Sequence, residues 1–575
     1  MSREMKKRIP SKSSNFASLI EENAFYVDKT EYIKVLESIN DKYLFFLRPR
    51  RFGKSLFLST LEHYYGIQHK DKFESLFGEY FIGQPENTTP LKNKYYILRF
   101  DFSGIETQAE DKIKGSFNNR ISSGVNEFVS NYGGFDGELV YQYERELNPA
   151  DYLSSFLSSV SSKLRDCKLF ILIDEYDHFT NELFAFNKGH FKEIVSRNGW
   201  VKKFYEVIKQ FMGEGTIDRF FATGVTPVRL DSMTSGFNVA QNITLDEKFH
   251  NMAGFTETEL RSLIENTIYE EGKFEIDTVI SDMRAWYNGS RFSADANERL
   301  YNPQMVISFL ANFSNNFTYP REMADINVTS DYKKISNILA PLSPEESDEI
   351  ISTVLETDSF TERLTVQYNF ELPYTKTEAV SLLFYNGLLT IESAIINLYN
   401  FVIPNYVIKQ MYWEFFKYRF TIEKQLRFDS TKIDRSIMQM FMDGKIDMLV
   451  EYVSSILKNL SNRDLQKFSE KNIKMIFMTL LIGNNAYFVK SEHENNEGYA
   501  DLLLIPTQLN PGKENFLLEL KYLKKSSKTT LETEKTKAIE QVGKYKAELA
   551  AEGIDCRTFA IVFVGKSEYT VAEVI

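Results

Sequence analysis

The residues best suited to chemistry fall in two groups far apart in the chain. The first is Arg48–Ser55, R-P-R-R-F-G-K-S. Its last three residues match the end of the phosphate-loop pattern G-x-x-x-x-G-K-[ST], with Arg48 where the first glycine belongs. Gly53 lets the backbone approach phosphates, Lys54 reaches the β- and γ-phosphates, and Ser55 offers a hydroxyl to Mg2+. A helix N-terminus behind them adds amide donors and a favourable dipole. Loss of the first glycine alters the loop, whereas Arg48 and Arg51 add cations that suit phosphate. Further on, the apolar run Leu169–Ile173 is closed by Asp174 and Glu175. Such a strand end places Asp174 near Mg2+ and Glu175 where it orients or deprotonates a water. A buried strand ending in a solvated acidic turn is the plainer reading, and the ordered pairing of both motifs at strand ends favours the chemical one. Thr223 or Thr226, at the end of the strand FFATGV, is placed to sense a γ-phosphate or the attacking water, or else is a turn residue. Arg219 and Arg291 are candidates for arginines acting in trans or from a lid, but read better as surface or structural residues.

The second group lies near the C-terminus. Asp501 opens an apolar strand, and eighteen positions later Glu519 and Lys521 sit within another. Residues i and i+2 of a strand share a face, so Glu519 and Lys521 project together. If the two strands form a hairpin, Asp501 meets Glu519 and the pair can hold Mg2+, with Mn2+ as an alternative. Lys521 then holds a water or offsets charge in a transition state. The competing reading is a structural ion pair. Glu470 or Glu492 is a further carboxylate candidate. Gln541 and Tyr545 share a face of a helix at about 531–551. Nine lysines between Lys513 and Lys546 form a basic patch that suits a nucleic-acid backbone, although charge runs are often only solvated faces.

Composition sets the outer bounds. Apolar residues at 43% and charged residues at 26% are ordinary globular values, and 47 Phe with 32 Tyr supply ample core. A net charge of −12 repels nucleic acid as a whole, so any contact with it must be local. Two distant cysteines and six scattered histidines give no zinc spacing, and a reducing compartment fits. The start, MSREMKKRIP, lacks the apolar segment of a secretory signal, and no run reaches the ~18 apolar residues of a membrane span. A cytoplasmic protein without membrane contact is expected.

These residues need elements to position them. Residues 43–47, 95–103, 169–173 and 220–225 read as buried strands separated by helical stretches, which implies a mainly parallel sheet with helices on both faces. Thr256 and Glu259 have capping-box spacing and open a helical lid. Residues 330–460 look mostly helical and carry no motif. Residues 461–575 read as a separate α/β unit, with strands at 487–491, 499–505, 516–522 and 558–565. The expected organisation is an α/β ATPase-type domain over 1–250, a helical lid over 251–329, a helical connecting region over 330–460 and a C-terminal α/β domain over 461–575.

Taken together, Tyr26-Val27-Asp28-Lys29-Thr30, RPRRFGKS, LIDEYD, TGV, WYNGSRF and Tyr301-Asn302-Pro303 resemble the AAA-ATPase-like proteins of bacteria. Their usual C-terminal partner is a PD-(D/E)xK nuclease-superfamily domain, of restriction-endonuclease-like fold. Gly498, Asp501, Glu519, Lys521, Gln541 and Tyr545 stand at the matching places of that domain. The resemblance covers residues 15–310 and 465–565, and the family's arginine in place of the first loop glycine matches Arg48. It implies ATP binding by a P-loop NTPase sheet and, by analogy, metal-dependent cleavage of DNA or RNA under ATP control. A homo-oligomer formed through the ATPase domain is also compatible with it. A nucleotide-switched signalling or scaffold protein, whose C-terminal domain only binds nucleic acid or protein, is the competing function.

Overall fold

The computed structural model describes residues 6–106, 110–133, 135, 148–164, 167–178, 199–228, 239–324, 332–368, 373–424, 428–460, 468–495, 498–510, 512, 514–525, 527, 530–566 and 568–574. The chain forms two compact units. The first contains residues 1–317, 337–347 and 361–404, and the second contains 318–336, 348–360 and 405–575.

The first unit is built on a five-stranded parallel sheet. Its strands are β1 (Tyr43–Leu47), β2 (Tyr95–Asp101), β3 (Lys168–Asp174), β4 (Ile217–Gly224) and the short β5 (Gln241–Asn242). Their spatial order is β2-β3-β4-β1-β5. All pairings are parallel, so the carboxyl ends of β1, β3 and β4 share one edge, where open α/β sheets bind ligands. The strands read as continuous apolar runs because both faces are covered. Helices α2 (Glu110–Tyr132), α3 (Pro149–Lys163) and α4 (Trp200–Gly213) cover one face through Phe117, Leu157 and Phe204, against Phe100, Ile171 and Ala222. Helix α1 (Lys54–Tyr65) meets the alternate residues, with Phe57 6.1 Å from Phe221 and Tyr65 5.3 Å from Phe170 between ring centres.

Beyond this sheet come α5 (Glu257–Thr267), α6 (Ile276–Tyr287) and α7 (Pro303–Phe313), the helices expected of a lid. The capping box of α5 is formed in both directions by Thr256 and Glu259. The stretch 330–460 is helical for most of its length, with three short strands: β6 (Ser359–Glu362), β7 (Thr390–Ile395) and β8 (Leu398–Val402). It is not a separate body, because its residues are divided between the two units.

The second unit carries a mixed sheet of β9 (Tyr487–Asn495), β10 (Gly498–Pro506), β11 (Asn515–Leu523), β12 (Cys556–Val564) and β13 (Glu568–Val574), in the order β13-β12-β11-β10-β9. Strands β9, β10 and β11 are antiparallel neighbours, whereas β11 and β12 are parallel and joined through α9 (Leu531–Ala551). Leu503, Leu517 and Val562 pack against Ala538, Val542, Tyr545 and Leu549 of α9. Helix α8 (Glu470–Leu481) precedes the sheet, and its residues Ile473–Leu481 are buried. The edge strand β13 extends the sheet beyond the sequence expectation.

Candidate active sites

In the first unit the loop after β1 turns sharply. Arg51 has φ +71° and Gly53, which caps α1, has φ +94°. The left-handed region is open to glycine and costly for other residues, so Gly53 is required by the turn and Arg51 is held there under strain. Lys54 is buried, and its Nζ donates to the carbonyls of Arg48 and Pro49 at 2.9 and 3.1 Å. Burial lowers its pKa, opposed by Glu175, Asp174 and Asp177.

Asp174 ends β3 and is 4% exposed. The parallel register sets Ile173 beside Ala222, which brings the next pair, Asp174 and Thr223, together. Thr223 Oγ1 donates to Asp174 Oδ1 at 2.6 Å, and the Glu175 amide donates to the same oxygen at 3.1 Å. Glu175 adopts φ +50°, and its Oε2 lies 3.0 Å from His178 Nδ1. The hydrogen bond from His178 lowers the Glu175 pKa, against the effect of burial. Asp177 accepts the amides of Val225 and Thr226, which ties the end of β3 to that of β4. A cavity of about 200 Å³ opens beside Arg51, Gly53, Lys54, Ser55 and Glu175. The rest of its lining mixes apolar residues, among them Leu19, Phe25, Val27, Phe57, Met252 and Ile307, with polar ones such as Ser11, Lys12, Lys29 and Gln304.

Two expectations need correction here. Arg48 does not face the cavity. It is 1% exposed, and its Nη1 donates to the carbonyls of Leu47 and Thr244, both at 2.8 Å. Its Nη2 donates to those of Phe249 and His250 at 3.0 and 3.2 Å, and the guanidinium lies between the rings of Phe46 and Phe292. With both Nη atoms committed to carbonyls, it serves as a strut holding 244–250 against the end of β1. Thr223 is fully buried on Asp174 and orients that carboxylate, so it does not point at a phosphate. The two weaker arginine candidates are structural as well. Arg219 lies buried beside Tyr65 and Tyr95, and Arg291 donates to the carbonyls of Ser293, Ala294 and Glu392. His178 and Asp177 were missed, although both lie within three residues of Glu175, at and just after the end of LIDEYD.

In the second unit the antiparallel register pairs Leu502 with Leu518, and the next step along it sets Asp501 opposite Glu519. Asp501 Oδ2 accepts the amide of Leu520 at 2.7 Å. Glu519 is completely buried. Lys521 Nζ lies 2.7 Å from its Oε1, while among the described residues no donor reaches its Oε2. Lys521 also donates to Glu470 Oε1 at 3.2 Å, which brings in the acidic residue that opens α8. Burial raises the pKa of Asp501, opposed by the Leu520 amide. Burial and then Asp501 raise that of Glu519. Burial disfavours the Lys521 ammonium, but Glu519, Glu470 and Asp501 outweigh it and push its pKa up. Buried Lys474 of α8 also acts electrostatically on Asp501. Gln541 Nε2 donates to Tyr545 Oη at 3.1 Å on α9.

The donor set fits a hard divalent cation. Two carboxylates face each other, one of them buried with an oxygen lacking a donor, which is costly for the ionised pair unless a cation satisfies it. Among the described residues no group of three His, Cys, Asp or Glu side chains could hold a metal by itself. A cation there takes the rest of its oxygen shell from water and substrate, as Mg2+ commonly does.

The basic patch is less uniform than its lysine count suggests. Lys521 serves the carboxylates, Lys537 pairs with Glu534, and Lys546 donates to the Val574 carbonyl. Lys513, Lys528 and the Glu492 side chain lie outside the described residues. Among the described residues no helix is long and apolar enough to cross a membrane.

Comparison with known proteins agrees with this division. Residues 10–234 match the family model described as a predicted AAA-ATPase, and residues 468–573 match that of the PD-(D/E)XK nuclease superfamily. An uncharacterized protein in the vnfD 5′ region of Azotobacter chroococcum mcd 1 is 26% identical over 304 residues. That match covers 52% of this chain and 51% of the relative, so the chain spans about half the length of the curated relative it matches.

Proposed function

We propose, for a chain that carries an AAA-ATPase-like domain and a PD-(D/E)XK nuclease-superfamily domain, that it is an ATP-regulated, metal-dependent nuclease acting on DNA or RNA. Domains of these kinds use a nucleotide and a divalent metal in general. The finer assignments rest on the two sites. The observation that carries the nuclease reading is the fully buried Glu519 carboxylate, facing Asp501 with an oxygen that no donor among the described residues reaches.

In the first unit Arg51, Gly53, Lys54 and Ser55 are the candidates to hold ATP, with Ser55 and Asp174 toward Mg2+. Lys54 is held beside the cavity by two loop carbonyls, which phosphate oxygens outcompete for an ammonium. Thr223 fixes the Asp174 carboxylate, and Glu175 accepts a proton from, or orients, the attacking water. The apolar part of the cavity lining suits a nucleobase.

In the second unit Asp501 and Glu519 would hold Mg2+ or Mn2+, which when bound polarises a phosphoryl oxygen and makes a water more acidic. Lys521, tethered between Glu519 and Glu470, offers its third proton to a water or to the transition-state charge. The test is incubation of the full chain with single- and double-stranded DNA and RNA, with Mg2+ or Mn2+, with and without ATP. Cleavage that needs metal and changes with ATP is expected. Metal binding without cleavage of any substrate would favour the binding-module alternative.

A further inference from the structure

We propose that His178 is the positioning residue for Glu175, holding its carboxylate in the orientation from which it acts on water during nucleotide hydrolysis; this rests on the nucleotide reading above. The chain reverses immediately after Asp174. Glu175 enters the left-handed region at φ +50°, an unusual conformation for a residue with a side chain, and the His178 amide donates to the Glu175 carbonyl at 3.0 Å. That tight turn brings the imidazole alongside the carboxylate, with Nδ1 3.0 Å from Oε2.

The turn is held from outside itself. Between Glu175 and His178, Tyr176 donates its hydroxyl to the Thr226 carbonyl at 2.6 Å, and Asp177 accepts the amides of Val225 and Thr226. The imidazole therefore stands on a turn clamped to β4, and its position is set by the sheet. Its side chain is 11% exposed, against 25% for Glu175, so the more deeply buried member fixes the more exposed one.

Arg50 Nη2 lies 3.4 Å from the same Nδ1. A guanidinium only donates, so the nearer carboxylate is the acceptor for an Nδ1 proton, and Arg50 adds positive charge beside the pair. The long, rotamer-rich Glu175 side chain gains a single orientation at the wall of the phosphate-loop cavity.

The test uses the full chain with Mg2+ and ATP. His178→Ala should lower kcat about 10–100-fold, a part of the 10²–10⁴ that a general base contributes. KM for ATP should stay within about twofold, since nothing in ground-state binding is removed. In His178→Asn the amide Nδ2 takes the place of Nδ1 and can donate to Glu175, so most of the lost rate should return. A merely structural histidine would not give this split between kcat and KM with rescue by asparagine. The proposal is overturned if His178→Ala turns over at the parent rate, if His178→Asn is as slow as His178→Ala, or if the parent binds ATP without hydrolysing it. A parent that fails to bind ATP would instead remove the nucleotide reading on which the proposal stands.

Discussion

At the scale of single residues, the two sites place charge where burial opposes it, and each placement has a measurable consequence. Lys54 keeps its ammonium buried on two carbonyls beside the loop. Lys54→Ala should weaken ATP binding about 10–100-fold, the 1.5–3 kcal/mol of a charged hydrogen bond, with fluorescence titration of a labelled nucleotide as the check. An unchanged affinity would remove the loop from the nucleotide site. Arg48 gives the opposite expectation for an arginine of the same loop. Its guanidinium serves four carbonyls, so Arg48→Met should cost about 3 kcal/mol of stability through unpaired acceptors, seen in denaturant unfolding. The carboxylates of the second site carry a pH signature. Burial raises both the Asp501 and Glu519 pKa values in the folded protein, so between the ordinary carboxylate range near ~4 and those raised values the native state binds more protons than the unfolded one. Stability without cation should therefore fall as pH rises through that window and level off above it. Glu519→Gln should flatten the fall, and thermal unfolding across pH in a chelating buffer measures both.

At the scale of elements, strand register and helix caps do the positioning. The pairing of Glu519 with Lys521 was legible because alternation along a strand is a local rule, and Asp501 joins them through the antiparallel register of β10 and β11. The parallel sheet was legible from its continuous apolar runs. Arg48 was misread because its partners at 244–250 lie about two hundred residues away, and no local pattern distinguishes a buried strut from a phosphate ligand. Thr223 was misread for a related reason, since the register of β3 against β4 decides that its hydroxyl meets Asp174. The capping box of α5 was visible as Thr256 and Glu259, but its second duty was not. Buried Lys29 Nζ donates to both oxygens of Glu259, at 2.6 and 2.8 Å, and to the Asn251 carbonyl. Glu259→Ala should then cost more than the ~1 kcal/mol of a cap, approaching the 3–5 kcal/mol of a broken buried pair. Thr256→Ala should cost only the cap, and comparing the two by chemical denaturation separates the roles.

At the scale of the whole molecule, the chain gives each site its own compact unit, with its own sheet and core. The division of residues 330–460 between the units had no sequence signal, because helical periodicity says that a face is buried but not against what. Separate cores predict separate local chemistry. Asp501→Ala should leave ATP affinity unchanged while abolishing cleavage, and loss of ATP binding in a folded variant would contradict the two-site account. If Asp501 and Glu519 form a cation site, calorimetric titration of Mn2+ into the parent and into Glu519→Gln will show it. The parent should give a saturable heat, lost or strongly weakened in a Glu519→Gln protein that unfolds at the same or a higher temperature without metal. Equal binding by both proteins, or none by the parent, would contradict it and leave Asp501, Glu519 and Lys521 as a structural ion pair.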